Sequence, residues 1–139
     1  MVLAVVFIVA GFAVPTVKQS LINYRLRGAV ASATWAIQST RFQALMAGYS
    51  YNVTFSGGAG GVNPQYQIAS NPTGAGFSNV GSAVPLSGSA VTLNQTTVLK
   101  FDPNGVVTAT TGALNNLQIT FSGLTKTISV SNYGNVSVN

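Results

Sequence analysis

The 139-residue chain has no cysteine and no histidine, and its only acidic residue is Asp102. Without thiols it has neither disulfide staples nor a thiolate nucleophile, so stability must come from a packed core or from neighbouring subunits. Without histidine, and with a single carboxylate, it lacks the usual groups for general acid-base chemistry and metal ligation. Serines and threonines are plentiful, but a nucleophile needs a positioned base, and only Lys100 or Lys126 could supply one. Charged residues make up 5% of the chain, against roughly 25% in ordinary soluble domains. The six cations are spread thinly and form no run. A total of 47 Ser, Thr, Asn and Gln residues stands in for charge, so the exposed face should be polar but nearly neutral. The composition predicts no catalytic, cofactor-binding or metal-binding residues, no cofactor, and no enzyme.

Residues 1 to 15, MVLAVVFIVAGFAVP, carry no polar side chain. As a helix, Met1 to Val14 would cover roughly 21 Å, short of the roughly 30 Å hydrocarbon core of a bilayer. A signal peptide would want a basic start and a small-residue cleavage site, and the helical pattern continues past this run without either. The segment therefore reads as one that inserts into a membrane or a filament core through Val2, Leu3, Val5, Val6, Phe7, Ile8, Val9, Phe12 and Val14. Pro15 removes the amide bond to the carbonyl of Gly11, so Gly11 and Pro15 mark a predicted helix kink.

From Val17 the pattern becomes amphipathic. Val17, Leu21, Tyr24, Gly28, Ala31, Trp35, Gln38, Phe42 and Leu45 recur at alternating steps of four and three, one stripe of a helix. Leu26, Val30, Ala33, Ile37 and Ala44 form a second stripe beside it, so the apolar face is wide enough to be covered by a sheet. From the first stripe, Leu21, Trp35, Phe42 and Leu45 are predicted to make the helix-sheet packing. Gly48 is a plausible C-terminal cap. A continuous helix from Met1 to about Ala47 would be roughly 70 Å long, more than a domain of this size can cover, so its N-terminal part should protrude. The expected division is 1–24 as an apolar N-terminal segment and 25–139 as a headpiece, helical to about residue 47 and then β-sheet.

After Gly48 the period switches to two: Tyr49, Tyr51, Val53 and Phe55 alternate with polar residues up to the SGGAGG break. SGGAGG has no following lysine or helix, so it is read as a loop rather than a phosphate cradle. Residues 56 to 90 are rich in Gly, Ser, Asn and Pro and read mostly as a long surface loop, with one short strand candidate near Tyr66 to Ala69. Further strands are predicted at Thr97 to Phe101, Val106 to Thr110, Leu117 to Phe121, Thr127 to Val130 and Asn135 to Val138. Turns at Asp102-Pro103-Asn104-Gly105, Ser122-Gly123 and Asn132-Tyr133-Gly134 suit antiparallel hairpins. Asp102 is expected to cap its turn by accepting backbone amides. Lys18, Arg25, Arg27 and Arg41 could meet lipid phosphates or another subunit's acids, or lie on a solvated surface. Their scatter does not make a nucleic-acid stripe.

An apolar protruding helix, its amphipathic continuation and a small antiparallel sheet wrapped on that continuation resemble the type IV pilins and the pseudopilins of type II secretion. MVLAVVFIVAGFAVP is similar to the family's N-terminal segment running into its helix proline. NYRLRGAVASATWAIQSTRFQALMAGYSYNVTF resembles the helix and first strand of the H-type (FimT-like) pseudopilins. VLKFDPNGVVT resembles that group's strand-turn-strand, and KTISVSNYGNVSV its closing hairpin; residues 56 to 90 match nothing in it.

The resemblance implies an α+β, pilin-like fold and a structural subunit that polymerises into an extracellular type IV pilus or pilus-like filament through its apolar helix. Its implied partners are identical copies in a helical filament, the inner membrane before assembly and the pilus assembly machinery, with no nucleic acid. The alternatives are a low-copy minor pseudopilin of a type II secretion system, or a tip-displayed adhesin or DNA-binding module. Two departures stand out. Family members carry a glutamate near their mature start, and this chain has no acid before Asp102. Their proline also lies roughly seven residues further in, consistent with a segment approaching bilayer length. The preferred expectation is that a leader peptide and the first mature residues, including that glutamate, precede Met1; the alternative is a glutamate-free subunit. The arginines that DNA-capturing relatives carry in the closing hairpin are absent from Gly134 to Val138.

Overall fold

The structure, a computed structural model, describes residues 2–57, 63–86 and 91–139, with side chains from residue 17 onward. Among the described residues one helix, α1 (Val2–Ala47), is followed by ten strands, all paired antiparallel. Its 46 residues amount to about 69 Å at the usual rise. The fold is α+β: one N-terminal helix packed on antiparallel sheets. The proposed insertion residues between Val2 and Val14, and the kink at Gly11 and Pro15, fall where side chains lie outside the described residues. Among the described residues no helix is long and apolar enough to cross a membrane.

The first sheet has β1 (Ser50–Ser56) at its centre, between β2 (Gln65–Asn71) and β6 (Thr97–Phe101). Beyond β2 lie β3 (Ser78–Asn79) and β4 (Val84–Pro85), and beyond β6 lies β7 (Val107–Thr111). The second sheet runs β10 (Val136–Val138), β9 (Leu124–Val130), β8 (Leu117–Phe121), β5 (Thr92–Leu93). The helix lies against both sheets, on β1, β8 and β9 and at the margins of β2 and β6. The body is thus two sheets joined by a single helix.

Period-two alternation directs the core. Tyr51, Val53 and Phe55 of β1 are buried and stand opposite Phe101, Leu99 and Thr97 of β6. In the second sheet Leu117 faces Ile128, and Leu93 faces Ile119. These inward residues and the buried helix face form one continuous cluster, which places the hydrophobic driving force along the line where α1 meets both sheets. The turns follow their sequence chemistry. Gly48 closes the helix with its N–H donating to the Ala44 carbonyl at 3.1 Å. Ser122 and Gly123 both take positive φ, 48° and 82°, the geometry that a two-residue hairpin between twisted strands requires.

The reading of residues 56 to 90 as mostly loop needs correction. β2 pairs with all seven residues of β1, from Ser50↔Asn71 to Ser56↔Gln65. β3 and β4 add short ladders on its far side, and Leu86 is buried. QYQIASN reads weakly as a strand because polar residues occupy most positions. Its ladder comes from backbone bonding to β1 and from Tyr66 beside Phe55, with ring centroids 6.3 Å apart.

Candidate assembly surface on the helix

Of the two apolar stripes of α1, both expected under the sheets, only the second is covered. Leu21, Trp35, Phe42 and Leu45, expected against the sheet, are 53%, 59%, 62% and 45% exposed. The neighbouring stripe is the buried one: Leu26, Val30, Ala33, Ile37 and Ala44, joined by Ala29 and Ala36. The physical reason is volume. The sheets send large side chains inward, among them Phe55, Phe101, Leu99, Ile119 and Ile128, and a close-packed interior then has room only for small helix residues. Four alanines with no exposed surface let the helix backbone approach both sheets. Thr40, also fully buried, satisfies its hydroxyl by donating to the Ala36 carbonyl at 2.7 Å.

The outward stripe is therefore left as a line of large apolar groups. Val17, Leu21, Tyr24, Trp35, Phe42, Leu45 and Met46 are all substantially exposed. Shallow hollows accompany it. One, of about 410 Å³, lies among Val17, Ser20, Leu21 and Tyr24. Another, of about 420 Å³, runs beside Trp35 between Arg27 and Lys126, floored by Val30, Ala31 and Val138. A third, of about 530 Å³, lies between Phe42, Leu45 and the 134–136 segment, with Gln38 and Arg41 in its wall. Soluble monomers rarely expose contiguous apolar surface of this kind without a partner for it.

Apart from Arg27 and Lys126, which line one hollow, and Lys18 and Arg25, which line another, the cations do not converge. Lys18 and Arg27 are exposed, and Arg25 lies over the Phe121 ring at 6.0 Å, close enough for a cation–π contact. Lys100 is held by Asp102, with Nζ 2.9 Å from Oδ1. Among the described residues no three His, Cys, Asp or Glu side chains come together.

Asp102 has a structural part, though by different bonds from those expected. Its carbonyl, rather than its carboxylate, closes the turn by accepting the Gly105 N–H at 2.9 Å. Its carboxylate accepts from Lys100 and from the Ser50 hydroxyl at 2.9 Å, tying β6 to the start of β1. The Lys100 ammonium, aided by Ser50, holds the Asp102 carboxyl below the usual carboxylate range.

A carboxyl depressed in the folded state stabilises it above the unfolded pKa, and that contribution is lost as pH falls through the folded value. With no His or Cys, no side chain should titrate between about pH 5 and pH 8. The expected result is a melting temperature that is flat across that window and falls only below about pH 4, with the Asp102→Asn variant losing the acid-side fall that the ion pair causes. Thermal melts at stepped pH check this; a drop of several degrees between pH 8 and pH 5 would contradict it.

The exposed stripe was legible in the sequence as a periodicity, but not as a surface. The signal that could have assigned it was the contrast between the alanine-rich stripe and the aromatic-rich strands, which calls for small residues facing large ones. Compared with protein-family models, with curated proteins and with solved structures, the chain matches none of them.

Proposed function

We propose that the chain is a structural subunit of an extracellular, pilus-like filament of the type IV class, in which α1 is shared between copies at the centre and the sheets face outward. One observation carries this reading. α1 is apolar on two sides, and its own sheets cover only one of them, leaving Val17, Leu21, Tyr24 and Trp35 exposed. A helix that is apolar on two sides needs a cover on each. Each large side chain removed from water by a neighbouring copy would contribute about 1.5–3 kcal/mol before the cost of ordering. The same helix continues toward the wholly apolar run at residues 1 to 15, whose burial among identical helices, or in the inner membrane before assembly, supplies the rest of the driving force. Head-to-tail repetition of such a contact makes an open fibre rather than a closed ring. Force and energy for assembly come from other proteins.

The test is imaging of filaments sheared from cells that make the protein, with sequencing of the main band. The expected result is that this chain dominates the filament, and that a Leu21→Asp, Tyr24→Asp double variant lowers filament yield at least about tenfold while the headpiece melts unchanged. A chain found only in trace amounts would point instead to a low-copy pseudopilin. A full-length preparation that stays a water-soluble monomer without detergent would overturn the filament reading.

A further inference from the structure

The last strand leaves one side of its backbone unused. β10 is an end strand of the second sheet, paired to β9 alone among the described residues. Its bonding to β9 runs through alternate residues: Asn139 and Thr127 exchange both backbone bonds at 3.0 Å, and the Ser131 N–H donates to the Asn135 carbonyl at 2.8 Å. In an antiparallel ladder the residues between such pairs turn their N–H and C=O groups the other way. Val136 and Val138 therefore present their backbone groups at the outer edge, and neither proline nor charge within the strand blunts it. The same two valines pair with Val130 and Ile128, which are buried in the core shared with α1. Residues paired across a ladder share a face, so Val136 and Val138 point to the α1 side. There each meets a hollow: Val136 lines the one by Phe42 and Leu45, and Val138 the one by Ala31 and Trp35. The edge is one bank of a groove whose other bank is the outward stripe of α1.

We propose that this groove takes an extended acidic segment of another protein, which adds to the second sheet as a strand antiparallel to β10. Backbone bonds to Val136 and Val138 fix its register. Its residues opposite those two lie about 7 Å apart and drop one apolar side chain into each hollow, of about 530 Å³ and 420 Å³. Charge identifies the occupant as a different chain. Arg27 and Lys126 line the hollow at Val138, and no acidic side chain lines either one. A copy of this chain has nothing to neutralise them with, because its one side-chain carboxylate, Asp102, is engaged by Lys100 and Ser50. Lys126 precedes Ile128 by two residues on β9 and faces the same way. The matching acid therefore belongs two residues before the apolar side chain opposite Val138. The segment reads Asp or Glu, any residue, apolar, any residue, apolar. The site does not rest on filament assembly, and it lies beside the stretch of the stripe beyond Leu21 and Tyr24.

The experiment is an NMR titration of the detergent-solubilised full chain with the peptide Ser-Glu-Thr-Val-Thr-Leu-Ser, followed through backbone amide hydrogen exchange. Bound peptide should slow exchange at the Val136 and Val138 N–H groups at least about tenfold. Two control peptides, one with lysine for its glutamate and one with proline for its valine, should bind at least about tenfold more weakly. Val138→Pro removes an outward donor and leaves the bonds to β9 alone, so it should melt unchanged and weaken the peptide about tenfold. The Arg27→Glu, Lys126→Glu double variant should reverse the preference between the glutamate and lysine peptides, which tests the site even if Val138→Pro fails to fold. The Leu21→Asp, Tyr24→Asp variant should bind the peptide normally, so loss of filaments and loss of this site are told apart. Unslowed exchange at Val136 and Val138 with millimolar peptide, equal binding of either control peptide, full binding by Val138→Pro, or an unreversed preference in the charge variant would overturn the proposal. Protection of the same two amides in the concentrated chain without peptide would make the occupant a second copy and overturn it as well.

Discussion

Ile37→Ala is expected to destabilise the folded chain by about 2–5 kcal/mol, whereas Trp35→Ala, two positions away on the same helix, should cost less than about 1 kcal/mol. Sequence hydrophobicity would rank them the other way, because tryptophan is the larger apolar group. The structure reverses the order: Ile37 has no exposed surface, while Trp35 is 59% exposed. Removing methylenes from a closed interior forfeits both their transfer free energy and the contacts around the space they leave. Removing a ring that already faces water forfeits little of either. For a chain of this length each kcal/mol moves the midpoint by about 3–5 °C, so the two variants should melt some 10 °C apart. Thermal unfolding of both in the same detergent measures the difference. Equal losses would mean that the outward stripe is in fact packed against the sheets. The same pair also separates folding from assembly, since a filament subunit should tolerate Trp35→Ala as a monomer and lose polymerisation.

The second large effect runs in the opposite direction, by adding volume. Ala33→Leu should destabilise by about 1–3 kcal/mol or more, while Ala31→Leu should be neutral within about 0.5 kcal/mol. Ala33 has no exposed surface, and the residues above and below it on the same face, Ala29, Ala36 and Ile37, have none either. A leucine there must push the helix away from the sheets or force neighbours off their rotamers. Ala31 is exposed on the outward stripe, where a longer side chain meets solvent. Chemical denaturation of the two variants checks the contrast. An Ala33→Leu variant as stable as the parent would show that the contact between helix and sheets has slack that the burial pattern denies.

Much of the fold was readable from local chemistry. The strands Thr97–Phe101 and Leu117–Phe121 have the predicted ends, because strict alternation and flanking turn residues act over a few residues. The switch from helix to strand at Gly48 was equally plain. Two features needed tertiary information. QYQIASN forms the full-length neighbour of β1 although its side chains give only a faint alternation, since a backbone ladder depends on the partner strand's register. The orientation of α1 depends on which of two apolar stripes complements side chains of β1 and of strands much further along the chain. Periodicity locates a face, but complementarity of size decides where it points. The Arg41 hollow was less legible still. Arg41 was visible as a scattered cation, but the cover over its Nε comes from Gly134, which a left-handed turn at the far end of the chain brings against it.

The continuity from α1 through Gly48 into β1 has a mechanical consequence. Tension applied along the helix enters the first sheet at its middle strand, which is held by seven residue pairs to β2 on one side and five to β6 on the other. Such a strand cannot be peeled off one bond at a time. Both ladders must slide together, so the load is shared, and the route by which the chain would be dragged is also the route by which its body resists being torn open.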